Sequence, residues 1–235
     1  MTSFHFGSSQ RRLFGYYEPA QANFSKVRAA LLCHPIDNEH VFAYRTMRQL
    51  AARLVRAGFH VLRFDYFGTG DSYGDTGEGD LASWCGDIET AIEELKDMTG
   101  AANVNLAGLR LGANLSARVA THRPKEISKL ILWEPLAADE LTAAGSGCPA
   151  TKADRNPRLI GPDIVEGFAR GALSGKAGLL PPSTLVLLTT KPPSPEEFGP
   201  LAVEYVADAS AWIEERLDTG SIPTGTLQRI VDWLQ

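Results

Sequence analysis

The sequence predicts an α/β protein: a mostly parallel sheet of about eight strands, helices on both faces and a small cap insertion. Three observations carry this reading. Short apolar runs of strand length alternate with amphipathic helical stretches along most of the 235 residues. That alternation requires crossover connections, which lay helices over both faces of a parallel sheet. One interval, between residues 135 and 183, is too long for a crossover of one helix and two short loops, and reads as an insertion.

The elements follow in order. Residues 4–19, FHFGSSQRRLFGYYEP, read as two short strands around a turn, because RLFGYY is rich in β-formers. AALLCHP (29–35) is an apolar run of the buried-strand kind. Residues 42–57 place Met47, Leu50, Leu54 and Ala57 at helical spacing, and Gly58 stands where that helix should stop. HVLRFD (60–65) is the next strand, closed by a glycine-rich loop at 67–79. Residues 81–98 form a long amphipathic helix with Asp80 as its N-cap. A strand at 103–108 leads into a helix at 111–122, and strands follow at 129–135, 183–190 and 201–208. The last helix, 224–235, carries Leu227, Ile230, Val231 and Leu234 along one face. The core is thus 1–135 with 183–235. The cap, 136–182, is polar and Gly/Pro-rich and then holds a short helix at 164–173. It is expected over the carboxyl ends of the strands, where ligands bind in such sheets.

Composition excludes several classes. With 44% hydrophobic and 22% charged residues, the chain buries a core without disulfides or metals. A net charge of −5 argues against nucleic acid or an anionic membrane as partner, since phosphate binding wants a basic stripe. No apolar run approaches the roughly 18 residues that span a bilayer. The start, MTSFHFGSSQRR, lacks the charged-then-apolar pattern of a signal peptide. Cys33, Cys85 and Cys148 have no metal-ligand spacing. The expectation is a cytoplasmic protein with no cofactor and no metal, with a homo-oligomer left open.

RLFGYYEP (12–19), LLCHPIDNEH (31–40), YRTMRQLAARLVRAGFHVLRFDYFGTGDSYGD (44–75), LAGLRLGANLS (106–116) and ILWEPL (131–136) together resemble the α/β-hydrolase superfamily over essentially the full chain. Within it they look like the serine-aminopeptidase-like and exosortase-A-associated hydrolase group. The resemblance implies an α/β-hydrolase fold and, at G-x-S-x-G, a strained turn that lifts a nucleophilic Ser above the sheet. Here that segment is Gly108-Leu109-Arg110-Leu111-Gly112. Both glycines are present, but the nucleophile position holds Arg110. A guanidinium stays protonated and cannot accept an acyl group. Ser116 lies inside the following helix and reads as a packing residue. The superfamily's histidine follows the last strand, yet the five histidines are His5, His34, His40, His60 and His122, and none comes later. The loop after the last strand offers Trp212, Glu214 and Glu215 instead. The usual acid loop holds Glu196 and Glu197, which look like an exposed helix start. The triad is therefore expected to be degenerate.

Several polar residues still converge on the mouth of the sheet. His34-Pro35 occupies the oxyanion-loop position. Proline has no N–H, so Ile36 to His40 would have to supply the donors. His34 is either a buried strand-end histidine satisfied by backbone or a pocket-facing acid/base. Glu39 and His40 read as a loop pair before the helix, Asp65 as a carboxylate binding N–H groups of the GTGDS segment, and Asp71-Ser72 as a turn anchor. Glu134 ends the strand next to that of Arg110, and Arg110 needs a carboxylate such as Glu134 or Asp65, or a bound anion. The expected catalytic set is Arg110, His34 and Glu134, and the expected ligand-binding set Arg110, His34, Ile36, His40 and Leu111.

Three functions compete on these residues. The first is a pseudo-hydrolase that binds a small acyl, carboxylate or thioester-type ligand through Arg110. The second is a biosynthetic enzyme, such as a cyclase, lyase, epimerase or hydrolase, using His34 as acid/base and Arg110 as a clamp on developing negative charge. The third is an ordinary esterase or thioesterase, for which the serine and the late histidine are missing.

Overall fold

The computed structural model describes residues 1–21, 25–75, 78–137, 173, 176–190, 198–213 and 222–235. Most of the expected cap at 136–182, including all but the last residue of its helix at 164–173, lies outside these residues, as do Cys148, Glu196, Glu197, Glu214 and Glu215.

Eight strands form one sheet: β1 (Thr2–Ser8), β2 (Arg11–Glu18), β3 (Ala29–Cys33), β4 (His60–Asp65), β5 (Val104–Leu109), β6 (Ile127–Trp133), β7 (Thr184–Leu188) and β8 (Ala202–Tyr205). Their order is β1-β2-β4-β3-β5-β6-β7-β8. The β1–β2 and β2–β4 pairings are antiparallel, and every pairing from β4 to β8 is parallel. The central strands β3, β5 and β7 are buried at every residue. This is the burial that a parallel strand covered on both faces requires, and it is why these strands read as largely apolar runs.

Among the described residues, two helices cover each face. On one side, α2 (Leu81–Thr99) and α3 (Leu111–His122) bury Trp84, Ile88, Ile92, Leu115 and Val119 with Leu31, Leu106 and Leu130 of the sheet. On the other, α1 (Asp37–Arg56) and α4 (Thr224–Leu234) bury Met47, Leu50, Leu54, Leu227 and Ile230 with Leu32, Leu109 and Leu187. Asp80 caps α2 as expected, in a reciprocal box: its carboxylate accepts from Ser83 N at 2.7 Å, and Ser83 Oγ accepts from Asp80 N at 2.9 Å. The helix expected at 42–57 begins earlier, at Asp37. Its first turn carries Asp37 and Glu39 and buries little, so the apolar period that betrays a helix starts only at Ala43. Strand β8 is shorter than the expected 201–208.

No helix among the described residues is long and apolar enough to cross a membrane. The parallel strands all end on one edge of the sheet. That edge gathers His34 after β3, Asp65 at the end of β4, Arg110 after β5, Glu134 after β6 and Thr189 after β7.

Candidate functional site

The turn between β5 and α3 is held by two glycines. A Cβ on Gly108 would lie 2.4 Å from Gly112 O, and one on Gly112 would lie 2.3 Å from Cys33 O and 2.5 Å from His34 O. Only hydrogen fits where the start of α3 crosses the end of β3. Between the glycines Arg110 takes φ 54° and ψ −122°, a conformation that L-residues rarely adopt. Backbone bonds pin it there: Arg110 N donates to Trp133 O at 3.0 Å, and Ala113 N donates to Arg110 O at 2.9 Å. The elbow is therefore fully formed, with an arginine at its apex.

That arginine is 8% exposed. Its Nε donates to Glu39 Oε1 at 3.1 Å. Its Cζ lies 5.1 Å from the ring centroid of Trp212, and Trp212 meets Trp133 edge-on at 6.4 Å. Trp212 comes from the loop after β8, the stretch in which the superfamily resemblance expects a histidine. A guanidinium over an indole face is an attractive contact that strengthens as water is removed. It offsets the unfavourable placement of a cation at the start of α3, whose dipole repels positive charge.

The expected carboxylate partners of Arg110 are corrected by this geometry. Glu134, 2% exposed, turns toward β7. It accepts from Thr189 N at 2.7 Å, Thr189 Oγ1 at 3.3 Å and Thr190 N at 3.4 Å, and from Thr190 Oγ1. Four donors at the end of β7 satisfy both carboxylate oxygens and leave it no reason to turn back toward the end of β5. Asp65 is separated from Arg110 by β3, which lies between β4 and β5. It accepts instead from Asp71 N at 3.0 Å, while its carbonyl takes Ser72 Oγ at 2.5 Å. Asp65 and Asp71-Ser72 thus anchor the turn, as their spacing suggested. Glu39, which the sequence makes half of a loop pair before the helix, stands instead on the first turn of α1 and takes the Arg110 bond. Its signal was topological: β3 and β5 are neighbours, so the first turn of α1 stands beside the elbow. Trp212 carried no signal for stacking on Arg110 beyond its position after the last strand.

His34 is 3% exposed, and its Nδ1 has no hydrogen-bond partner. Burial, the neighbouring His40 and the Arg63 cation all push its pKa well below the ordinary 6.5. The rings of His34 and His40 are 5.1 Å apart. Ile36 is the N-cap residue of α1 and is half-buried against the core, and Leu111 is buried as the first residue of α3. Ser116 is fully buried inside α3, a packing position. Among the described residues no group of three or more His, Cys, Asp and Glu side chains is placed to hold a metal ion.

The depressed His34 pKa has a consequence for stability. Below about pH 6.5 the unfolded chain protonates this imidazole and the folded chain does not, so folding loses stability as pH falls. His34→Gln should therefore flatten the acid side of the stability curve by about one proton, roughly 1.4 kcal/mol per pH unit. Urea unfolding of both proteins between pH 7.5 and 5.0, compared pairwise, reads this directly. Parallel curves would mean that His34 gains its proton in the folded state as well.

The sequence profile described as serine aminopeptidase, S33, matches residues 26–153. No curated protein sequence matches the chain. Among solved structures, Est1E from Butyrivibrio proteoclasticus with ferulic acid bound superimposes with a TM-score of 0.62 at 14% identity, covering 98% of this chain and 99% of that one. The thioesterase domain from the curacin biosynthetic pathway gives 0.64 at 16% identity, over 100% and 99%. The enol-lactonase from Burkholderia xenovorans gives 0.62 at 17%, over 98% and 99%. At such identities these likenesses speak for the fold. The profile match spans more than half of the residues and runs through the oxyanion loop, the elbow and α3, so the chain belongs to the serine aminopeptidase S33 family of α/β-hydrolases.

Proposed function

We propose that this chain is a serine-free member of its family that binds a small carboxylate, free or at the end of an acyl compound, at the elbow. One observation carries the reading: the apex of the elbow is a guanidinium, and a carboxylate, that of Glu39, already sits on it. The Glu39 side chain is 33% exposed and stands on the first turn of α1, so it can swing into water and yield its place to a ligand carboxylate. A guanidinium recognises such a group through paired N–H donors, which suits Arg better than any other side chain. Glu39 then acts as an internal competitor that keeps the buried cation paired when no ligand is present.

Two measurements test this. Fluorophosphonate probes should label no serine at stoichiometric yield, since none occupies the elbow. Butyrate and benzoate should raise the melting temperature of the parent, raise that of Glu39→Gln further because the competitor is weakened, and leave Arg110→Ala unchanged. Labelling of any serine, or a ligand-induced shift that persists in Arg110→Ala, would overturn the reading.

A further inference from the structure

A cleft of about 470 Å³ opens between the first turns of α1 and the loop after β4. It is lined by Asp37, His40, Val41 and Tyr44 of that helix and by Gly68, Thr69 and Gly70 of the loop after β4. Its volume falls in the range of small-molecule sites. Val41, 71% exposed, and Tyr44, 38% exposed, give it an apolar wall.

The cleft contains a histidine backed by a carboxylate. His40 Nε2 is buried and lies 3.6 Å from Asp65 Oδ1. The other oxygen of Asp65 is occupied by Asp71 N. The loop that carries this N–H is wrapped so tightly that a Cβ on Gly70 would fall 2.3 Å from Asp65 Oδ2. Asp65 is therefore fixed in place, with one oxygen left for the imidazole. With Nε2 turned inward, Nδ1 is the ring nitrogen left toward the cleft. Such pairs are often long in ligand-free structures and tighten in the complex. His34, packed 5.1 Å behind, is kept neutral by burial and adds no competing charge.

We propose that His40 is a general base in this cleft and Asp65 its positioning residue, and that together they hydrolyse small activated acyl esters without a serine. His40 Nδ1 takes a proton from a water molecule as the water oxygen bonds to the ester carbonyl carbon. The tetrahedral adduct collapses with cleavage of the bond to the leaving oxygen, and the imidazolium returns its proton to that oxygen or to solvent. The acyl or aryl part of the ester lies on Val41 and Tyr44. This proposal rests on the serine-free reading above but not on carboxylate binding at Arg110.

The test uses p-nitrophenyl acetate and the full chain. The parent should hydrolyse it above the buffer rate, and fluorophosphonate should not inhibit. His40→Gln should lower kcat/KM by about 100-fold or more. The control His122→Gln, at an exposed histidine on α3, should keep the parent's rate. Asp65→Asn still accepts the Asp71 N–H but cannot stabilise the imidazolium. It should lower kcat by more than about tenfold with KM unchanged, and it keeps the proposal testable if His40→Gln fails to fold. A parent rate equal to buffer, or full activity in either variant, would overturn the proposal alone. Loss of activity to fluorophosphonate would place it at a serine and overturn the serine-free reading as well.

Discussion

Gly112→Ala is expected to cost more than about 4 kcal/mol and to leave little soluble protein. The added Cβ would sit 2.3 Å from Cys33 O and 2.5 Å from His34 O. Both are backbone atoms at the end of β3, which lies between β4 and β5 and is buried throughout. Neither can retreat without moving the centre of the sheet. The contrast is Gly86→Ala in α2, where a Cβ would meet nothing within 4 Å. There the helix should gain about 0.5–1 kcal/mol, the ordinary difference between the two residues. Soluble yield and urea midpoints of the two variants make the comparison. A Gly112→Ala protein as stable as its parent would show that the close crossing of α3 over β3 is not required. The expected result separates two meanings of the glycine pattern. Gly108 and Gly112 serve the packing of a helix start against a strand end, and that need persists whatever residue stands between them.

The same distinction explains what could be read from the sequence. Strands β3, β5 and β7, and the Leu130–Trp133 half of β6, were legible because burial on both faces leaves a largely apolar run. The Asp80 cap and the turn built on Asp65, Asp71 and Ser72 were legible because each is a local hydrogen-bond pattern. The start of α1 was not: its first turn, Asp37 to His40, buries little and so breaks no period. The partners at the site were harder still. Glu134 and Glu39 both stand beside the strand of Arg110, and topology alone allows either to pair with it. The choice is made by Thr189 and Thr190, whose N–H and hydroxyl groups capture Glu134 from the far side. That capture depends on side-chain reach between the ends of the neighbouring strands β6 and β7, which no spacing in the chain encodes. Trp212 is a similar case, since a tryptophan after a strand usually announces packing and only the structure sets it over a guanidinium.

Arg110→Ser should fold and should still fail as a serine hydrolase. The apex position already has the elbow's φ and ψ, so a serine there would be presented as the fold intends. Removing the guanidinium breaks its pair with Glu39, but that carboxylate is a third exposed and can turn to water, so the expected loss of stability is modest. What the variant lacks is a base. No histidine follows residue 122. Trp212, which approaches the apex from the loop after β8, has an indole that cannot take a proton. His34 is buried at the end of β3, and His40 faces Asp65 from the first turn of α1. A serine without its histidine falls short of a complete triad by about 10⁴–10⁶ in rate. The expected results are a melting temperature close to the parent's, no gain in p-nitrophenyl acetate turnover, and fluorophosphonate labelling no faster than the parent's. Rapid stoichiometric labelling at the new hydroxyl would contradict this, and would mean that His34 or His40 reaches the apex as a base once the arginine is gone. Adding Trp212→His to Arg110→Ser brings an imidazole in from the loop after β8. If the missing base is the whole deficit, the double variant should label faster than Arg110→Ser alone.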